Sequence, residues 1–171
     1  MKIKNLFITG EITNETANRF KKAILDATNS INPIEINVYI DSIGGSVAAG
    51  MEIYDCIQNC GVPVNMFCTG KAYSMAAVLF LAATGTRTML ETSEVMIHAP
   101  RVSNLRSGTV EELTGALQAL TARRDQLVDI ISLHTGNDRN DVSKDISFDH
   151  YFNADEAVAY GMADTVVRKC A

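Results

Sequence analysis

The chain has 171 residues, enough for one domain with a sizeable core. With 47% apolar residues, three prolines and a net charge of −5, it is neither disordered nor collagen-like, and it lacks the concentrated basic surface of a nucleic-acid binder. The N-terminus, Met1 to Ile8, has no signal-like apolar core, and the longest apolar run, Met75 to Ala83, falls short of the ~18 residues of a membrane span; a cytoplasmic protein with no membrane or nucleic-acid partner is expected.

Asn5 to Thr9 reads as a strand ended by Gly10. Residues 14–28 read as a helix capped by Asn14, with Ala17, Phe20, Ile24 and Ala27 on one face. Pro33 closes the following loop. Glu35 to Ile40 reads as a strand with Ile36, Val38 and Ile40 on one side. Next, Asp41-Ser42-Ile43-Gly44-Gly45-Ser46-Val47 places two glycines between a strand and a helix. They permit unusual backbone angles or close approach of another chain, and their unobstructed N–H groups suit developing negative charge. A plain tight turn is the other reading; the glycine spacing excludes a dinucleotide fingerprint. A helix over 47–59, with Met51, Tyr54 and Ile57 on one face, ends at Gly61 and Pro63.

The third strand–helix unit runs from Val64 to Ala83, through a glycine-marked turn, Gly70-Lys71-Ala72-Tyr73. It delivers Ser74 to the mouth of an apolar helix, where free N–H groups and the positive end of the helix dipole gather. Such a serine is either a nucleophile at a strand-to-helix turn or an ordinary N-cap. Repeated strand–helix units predict an α/β protein with right-handed crossovers over a mostly parallel sheet.

Thr86 to Leu90 and Glu94 to Ala99 read as two short strands, with His98 at the end of the second. Residues 101–108 are polar and irregular. Thr109 and Glu112 form a capping box for a long helix to about His134, stopped by Gly136. Its apolar stripe is Leu113, Leu117, Leu120, Leu127 and Ile131, and part of this helix is expected to project and meet a partner subunit; a surface helix over the sheet is the alternative. Residues 137–148 read as a short helical turn and a loop. A second capping box, Asn153 with Glu156, opens a helix through Tyr160 that Gly161 stops, and Ala163 to Arg168 reads as a last strand. No repeat or linker divides the chain, so residues 1–171 are read as one domain. Cys56, Cys60, Cys68 and Cys170 lack metal-ligand spacing and read as buried free thiols.

Serine hydrolysis needs a base within hydrogen-bond reach and a carboxylate to hold it. His134 reads as a helix-terminus residue and His150 as a loop residue beside Asp149, whereas His98 lies at a strand end, where sites of α/β folds collect. His98 is taken as the base. On spacing alone the acid is open among Asp138, Asp141, Asp145 and Asp149.

From Leu6 to about Val167 the chain resembles the proteolytic subunit of the Clp protease, a self-compartmentalised serine peptidase. The resemblance is carried by Ile40-Asp41-Ser42-Ile43-Gly44-Gly45-Ser46-Val47-Ala48-Ala49-Gly50-Met51, Ile53-Tyr54-Asp55, Gly70-Lys71-Ala72-Tyr73-Ser74-Met75-Ala76-Ala77 and Met96-Ile97-His98-Ala99-Pro100. It continues through His134-Thr135-Gly136 and the run from Ala154 to Asp164. It implies a Clp protease/crotonase-like α/β fold of repeated β-β-α and βα units with a projecting handle helix, here about residues 101–135. It places the nucleophile on Ser74, the base on His98, the acid on Asp149 and the oxyanion-hole N–H groups on Gly45 and Met75. It implies that substrate binds extended along about Val102 to Arg106, making Gly44, Val102, Ser103 and Asn104 the candidate substrate-binding residues, and that Asp145 is tied to ring pairing. The implied activity is endopeptidase cleavage of peptides or unfolded proteins inside a homo-oligomeric ring or stacked rings, without cofactor or metal; an unfoldase ATPase partner is left open. The alternatives are a catalytically silent subunit of a mixed assembly, a crotonase-like acyl-CoA enzyme, and a membrane-type peptidase using a lysine base, for which Lys71 reads instead as a polar turn residue.

The chain departs from the family pattern in places. Ile43 stands where proline is usual, Tyr73 replaces a small residue and is expected to narrow or reshape a pocket, and Arg101-Val102-Ser103-Asn104 replaces a glycine-rich piece. The chain begins almost at the strand over residues 5–9, so the usual axial segment and first helix are expected to be missing, and seven-fold double rings docked to an ATPase are not assumed.

Overall fold

The computed structural model describes residues 3–31, 33–101 and 108–168. The strands are β1 (Ile3–Ile12), β2 (Glu35–Gly45), β3 (Val64–Tyr73), β4 (Arg87–Leu90), β5 (Glu94–Ile97), β6 (His150–Asn153) and β7 (Thr165–Val167). The helices are α1 (Asn14–Asp26), α2 (Val47–Gln58), α3 (Met75–Leu81), α4 (Val110–Thr135), α5 (Arg139–Asp145) and α6 (Ala154–Tyr160). The expected α/β architecture is present. β1, β2, β3, β4 and β7 lie side by side and parallel; β5 pairs parallel with β3, and β6 pairs antiparallel with β5.

Period-2 alternation sets the core. Ile36, Val38 and Ile40 are fully buried on one face of β2, beside Ile8 of β1 and Val64, Met66 and Cys68 of β3. Ala17, Phe20 and Ile24 of α1 pack against that layer, as their helical spacing predicts. Every residue of α3 is buried, which fits a helix apolar all round. Each such buried aliphatic side chain contributes about 1.5–3 kcal/mol from removal of apolar surface from water. On the opposite face, Phe7, Tyr39 and Phe67 occupy one register row and stack, with ring centroids 5.4 and 5.0 Å apart.

The strands reach further than the sequence suggests. β1 continues through Gly10 to Ile12, with a register shift between Thr9 and Glu11. β2 continues through Gly44 and Gly45, so the glycine pair is a strand end rather than a turn. β3 continues through the expected turn to Tyr73. β3 also forks: Met66 to Cys68 pair with β4, and Lys71 to Tyr73 pair with β5. The Asp41 carboxylate accepts the Lys71 N–H at 3.0 Å at this fork, and a Cβ on Gly70 would lie 2.5 Å from that same oxygen. Only glycine lets the carboxylate sit there. The fork swings the end of β3 across to β5.

Helix boundaries differ as well. Thr13, not Asn14, caps α1, which ends in a π-helical turn over Ala27–Ile31. On α2 the buried residues are Ala49, Gly50, Ile53 and Ile57, with Met51 and Tyr54 only half-buried. Both capping boxes form as read, Thr109 with Glu112 and Asn153 with Glu156. α4 buries only Leu127, Val128, Ile130 and Ile131, while Val110 to Ala119 are all exposed. Among the described residues no helix is long and apolar enough to cross a membrane.

Candidate active site

Ser74 stands where β3 meets α3. Its backbone has φ 55° and ψ −122°, the only positive φ outside glycine among the described residues. A serine there costs of order 1–3 kcal/mol in backbone strain and persists only where the surroundings hold it. The Ser74 N–H donates to the Met96 carbonyl at 2.8 Å, and the Ser74 carbonyl accepts the Ala77 N–H at 3.0 Å. Although Ser74 occupies the N-cap position, its hydroxyl makes no capping bond. The Oγ lies 2.8 Å from His98 Nε2 instead. This pairing follows from the fork: β3 and β5 run parallel side by side, so their C-terminal ends deliver Ser74 and His98 together.

The end of β2 lies against the same turn. A Cβ on Gly44 would sit 2.5 Å from the Tyr73 carbonyl, 2.9 Å from Ser74 Cβ and 3.0 Å from the Met75 nitrogen. With φ at 88° and 149°, Gly44 and Gly45 hold angles that side chains disfavour. Buried Ser42 holds Gly44: its Oγ accepts the Gly44 N–H at 3.1 Å and donates to the Gly10 carbonyl at 2.5 Å. The next bond to β1 comes from Ser46, whose N–H reaches the Ile12 carbonyl at 2.8 Å. Met75 is the first residue of α3, so its N–H has no acceptor within the helix.

His98 follows β5 directly, and its loop is pinned by the Ala99 N–H, which donates to the Ile146 carbonyl at 2.6 Å. Burial holds the imidazole below the ordinary histidine range; the Arg101 guanidinium pushes the same way and Asp149 opposes both. Asp149 immediately precedes β6, and the antiparallel pairing of Ile97 with His150 sets it across from His98. Its Oδ1 is 3.7 Å from His98 Nδ1, and that nitrogen is buried without a hydrogen-bond partner among the described residues. Arg101 donates to the same Oδ1.

The other acids are engaged elsewhere. Asp138 caps α5, Asp141 pairs with Lys144 at 2.8 Å, and Asp145 accepts the Tyr160 hydroxyl at 2.6 Å. Asp145 Oδ1 also lies 3.7 Å from His150 Nδ1. His150 is not a loop residue: it opens β6 and stacks on Phe152 at 4.3 Å between centroids. Burial, then the Asp145 bond, raises the Tyr160 hydroxyl above the usual tyrosine range. His134 accepts or donates at 2.8 Å with the Tyr54 hydroxyl, away from Ser74.

Lys71 lies on β3 rather than in a turn, with its ammonium 5.8 Å from the centre of the Tyr73 ring. Tyr73 donates to Glu94, which with burial pushes its hydroxyl up to about 12, and its ring meets Tyr151 edge-on at 5.7 Å. Among the described residues it does not line the cleft beside Ser74 and His98, a narrow crevice between Val47, Val78, Ile97, Pro100, Leu127 and Ile131 with room for no more than about 10 Å³. The expected narrowing by Tyr73 therefore does not occur there. Val102, Ser103 and Asn104 lie outside the described residues.

Sequence reasoning missed β6 and the reach of Arg101 to Asp149. The first left a signal, the β-prone run His150-Tyr151-Phe152 ahead of a helix cap. The second left none, because it depends on a contact between distant segments.

The family model described as Clp protease matches residues 1–170. An ATP-dependent Clp protease proteolytic subunit of Porphyromonas gingivalis (strain ATCC BAA-308 / W83) is 38% identical over 165 residues, covering 96% of this chain and 73% of the relative. A match over almost the whole length, joined to a serine hydroxyl presented to an imidazole at a helix mouth, places the chain in the Clp protease family, as a serine peptidase.

Proposed function

We propose that the protein cleaves internal peptide bonds of peptides or unfolded polypeptides with Ser74 as nucleophile, His98 as general base and Asp149 as the carboxylate that orients the imidazole. The observation that carries this reading is the 2.8 Å approach of Ser74 Oγ to His98 Nε2. As Oγ attacks the substrate carbonyl, Nε2 takes the hydroxyl proton. The carbonyl oxygen becomes an oxyanion, for which the N–H groups of Gly45 and Met75 are the proposed donors. His98 then passes its proton to the departing amine. Water adds to the acyl-enzyme, giving His98 a proton that returns to Ser74 as the acid leaves.

Family membership brings oligomeric rings. In this reading the whole chain acts as one peptidase domain of a cytoplasmic homo-oligomer, the exposed half of α4 is the handle between rings, and Asp145 supports ring pairing. Substrate lies extended along Gly44 and the segment of Val102, Ser103 and Asn104. Docking to an unfoldase ATPase is the further step, to be tested on the assembled particle.

Hydrolysis of a fluorogenic peptide and of an unfolded protein by the assembled enzyme tests the reading. Ser74→Ala and His98→Ala are each expected to lower kcat by about 10⁴-fold or more. Wild-type activity retained in Ser74→Ala would overturn it. A silent subunit is the second reading, favoured by the engagement of Asp149 with Arg101; an assembled particle that hydrolyses neither substrate would select it.

A further inference from the structure

We propose that Arg101 is a positioning residue that holds the Asp149 carboxylate off His98 in the resting enzyme, so that full triad alignment requires Arg101 to release it. The proposal rests on the assignment of Ser74, His98 and Asp149 above. Three observations carry it. Arg101 donates to Asp149 Oδ1, the oxygen that is also closest to His98 Nδ1. That nitrogen is 3.7 Å away, beyond hydrogen-bond reach, and is buried with no other partner among the described residues. With Nε2 assigned as acceptor of the Ser74 hydroxyl, Nδ1 carries the ring hydrogen; a buried N–H left unpaired is costly, so the site gains if the carboxylate closes the gap. Third, the Arg101 side chain is 67% exposed, so it can leave into water without disturbing the core.

The chemistry gives the contact a direction. In acyl transfer the imidazole becomes positively charged, and a carboxylate bonded to Nδ1–H both fixes the ring and stabilises that charge. A guanidinium on the carboxylate weakens both effects. The charged groups acting on His98 are Arg101 from its own loop and Asp149 from the segment before β6, while Ser74 faces it from the β3–α3 turn. With Arg101 displaced, the imidazolium gains a hydrogen bond and loses a nearby cation. Arg101 thus restrains a site whose nucleophile and base are already in contact.

The test uses the assembled enzyme, comparing wild type with Arg101→Gln, each also in an Asp149→Asn background. Two readouts are taken across pH: kcat and KM for a peptide, and the rate of covalent labelling by a serine-directed fluorophosphonate. Arg101→Gln is expected to raise kcat and the labelling rate about tenfold, the size of one gained hydrogen bond to a charged group. KM stays within about twofold and the acid limb of the pH profile moves to higher pH. In the Asp149→Asn background the gain in plateau rate disappears, because no carboxylate remains to be released. An unchanged or lower rate in Arg101→Gln, a raised KM as the main effect, or a gain that persists without the Asp149 carboxylate would overturn the proposal. If the wild type is not labelled at Ser74, the parent assignment fails and this one with it; if it is labelled and Arg101→Gln matches it, Arg101 alone is misassigned.

Discussion

At the scale of single residues, the site depends on two backbone anomalies that meet. Ser74 adopts a positive φ, and Gly44 packs against it at a distance that leaves no room for a Cβ. Gly44→Ala is therefore expected to destabilise the fold by at least about 1–3 kcal/mol, the cost of a strained backbone position, and to abolish hydrolysis by pushing the Ser74–Met75 peptide away. Urea unfolding and a peptide assay check this; an active variant of unchanged stability would contradict it. The depressed pKa of His98 sets the pH response. A base must be unprotonated, and lowering its pKa keeps it unprotonated to lower pH, so the acid limb of kcat/KM should have its midpoint below the ordinary histidine value of 6.5. A midpoint above that value would contradict the environment described for His98.

At the scale of elements, β6 is the piece that completes the site, since its pairing with β5 sets Asp149 opposite His98. β6 leads straight into α6, whose start is fixed by the Asn153 and Glu156 capping box. Asn153→Ala is expected to cost about 1 kcal/mol of stability, the usual effect of losing such a cap, and to lower kcat by loosening β6. Denaturant midpoints and peptide kinetics measure both. Much of this scale was legible beforehand. The alternating Ile36, Val38 and Ile40, the α1 face and both capping boxes could be read because each is a local pattern with its own period or spacing. Strand ends could not, because Gly10, the Gly44-Gly45 pair and Gly70 read locally as turns, while the sheet and the Asp41 bond draw all three stretches into strands. Ser74 and His98 could be singled out by position as candidate nucleophile and base, and the structure brings the two side chains together. Asp149 was not separable from three neighbouring acids until β6 placed it, since sequence distance carries no information about which loop folds back.

At the scale of the whole molecule, a single sheet gathers Ser74, His98 and Asp149 at one edge of the core, while α4 carries apolar side chains away from it. Val110 is 75% and Leu117 63% exposed on a helix whose buried residues begin only at Leu127. They are the side chains that the handle role proposed above would bury between subunits. Leu117→Glu is expected to shift the assembled species toward smaller particles in analytical ultracentrifugation while changing subunit stability by no more than about 0.5 kcal/mol, as for other exposed positions. An unchanged particle would contradict a role for this half of α4 in assembly.

Everything proposed for the site turns on attack by the Ser74 hydroxyl, activated by His98, on an acyl carbon. Intact-mass analysis after brief exposure of the assembled enzyme to an activated ester tests it directly. One acyl group per subunit is expected, located on the peptide containing Ser74 and absent from both Ser74→Ala and His98→Ala. Acylation elsewhere, or equal acylation of the Ser74→Ala variant, would contradict it.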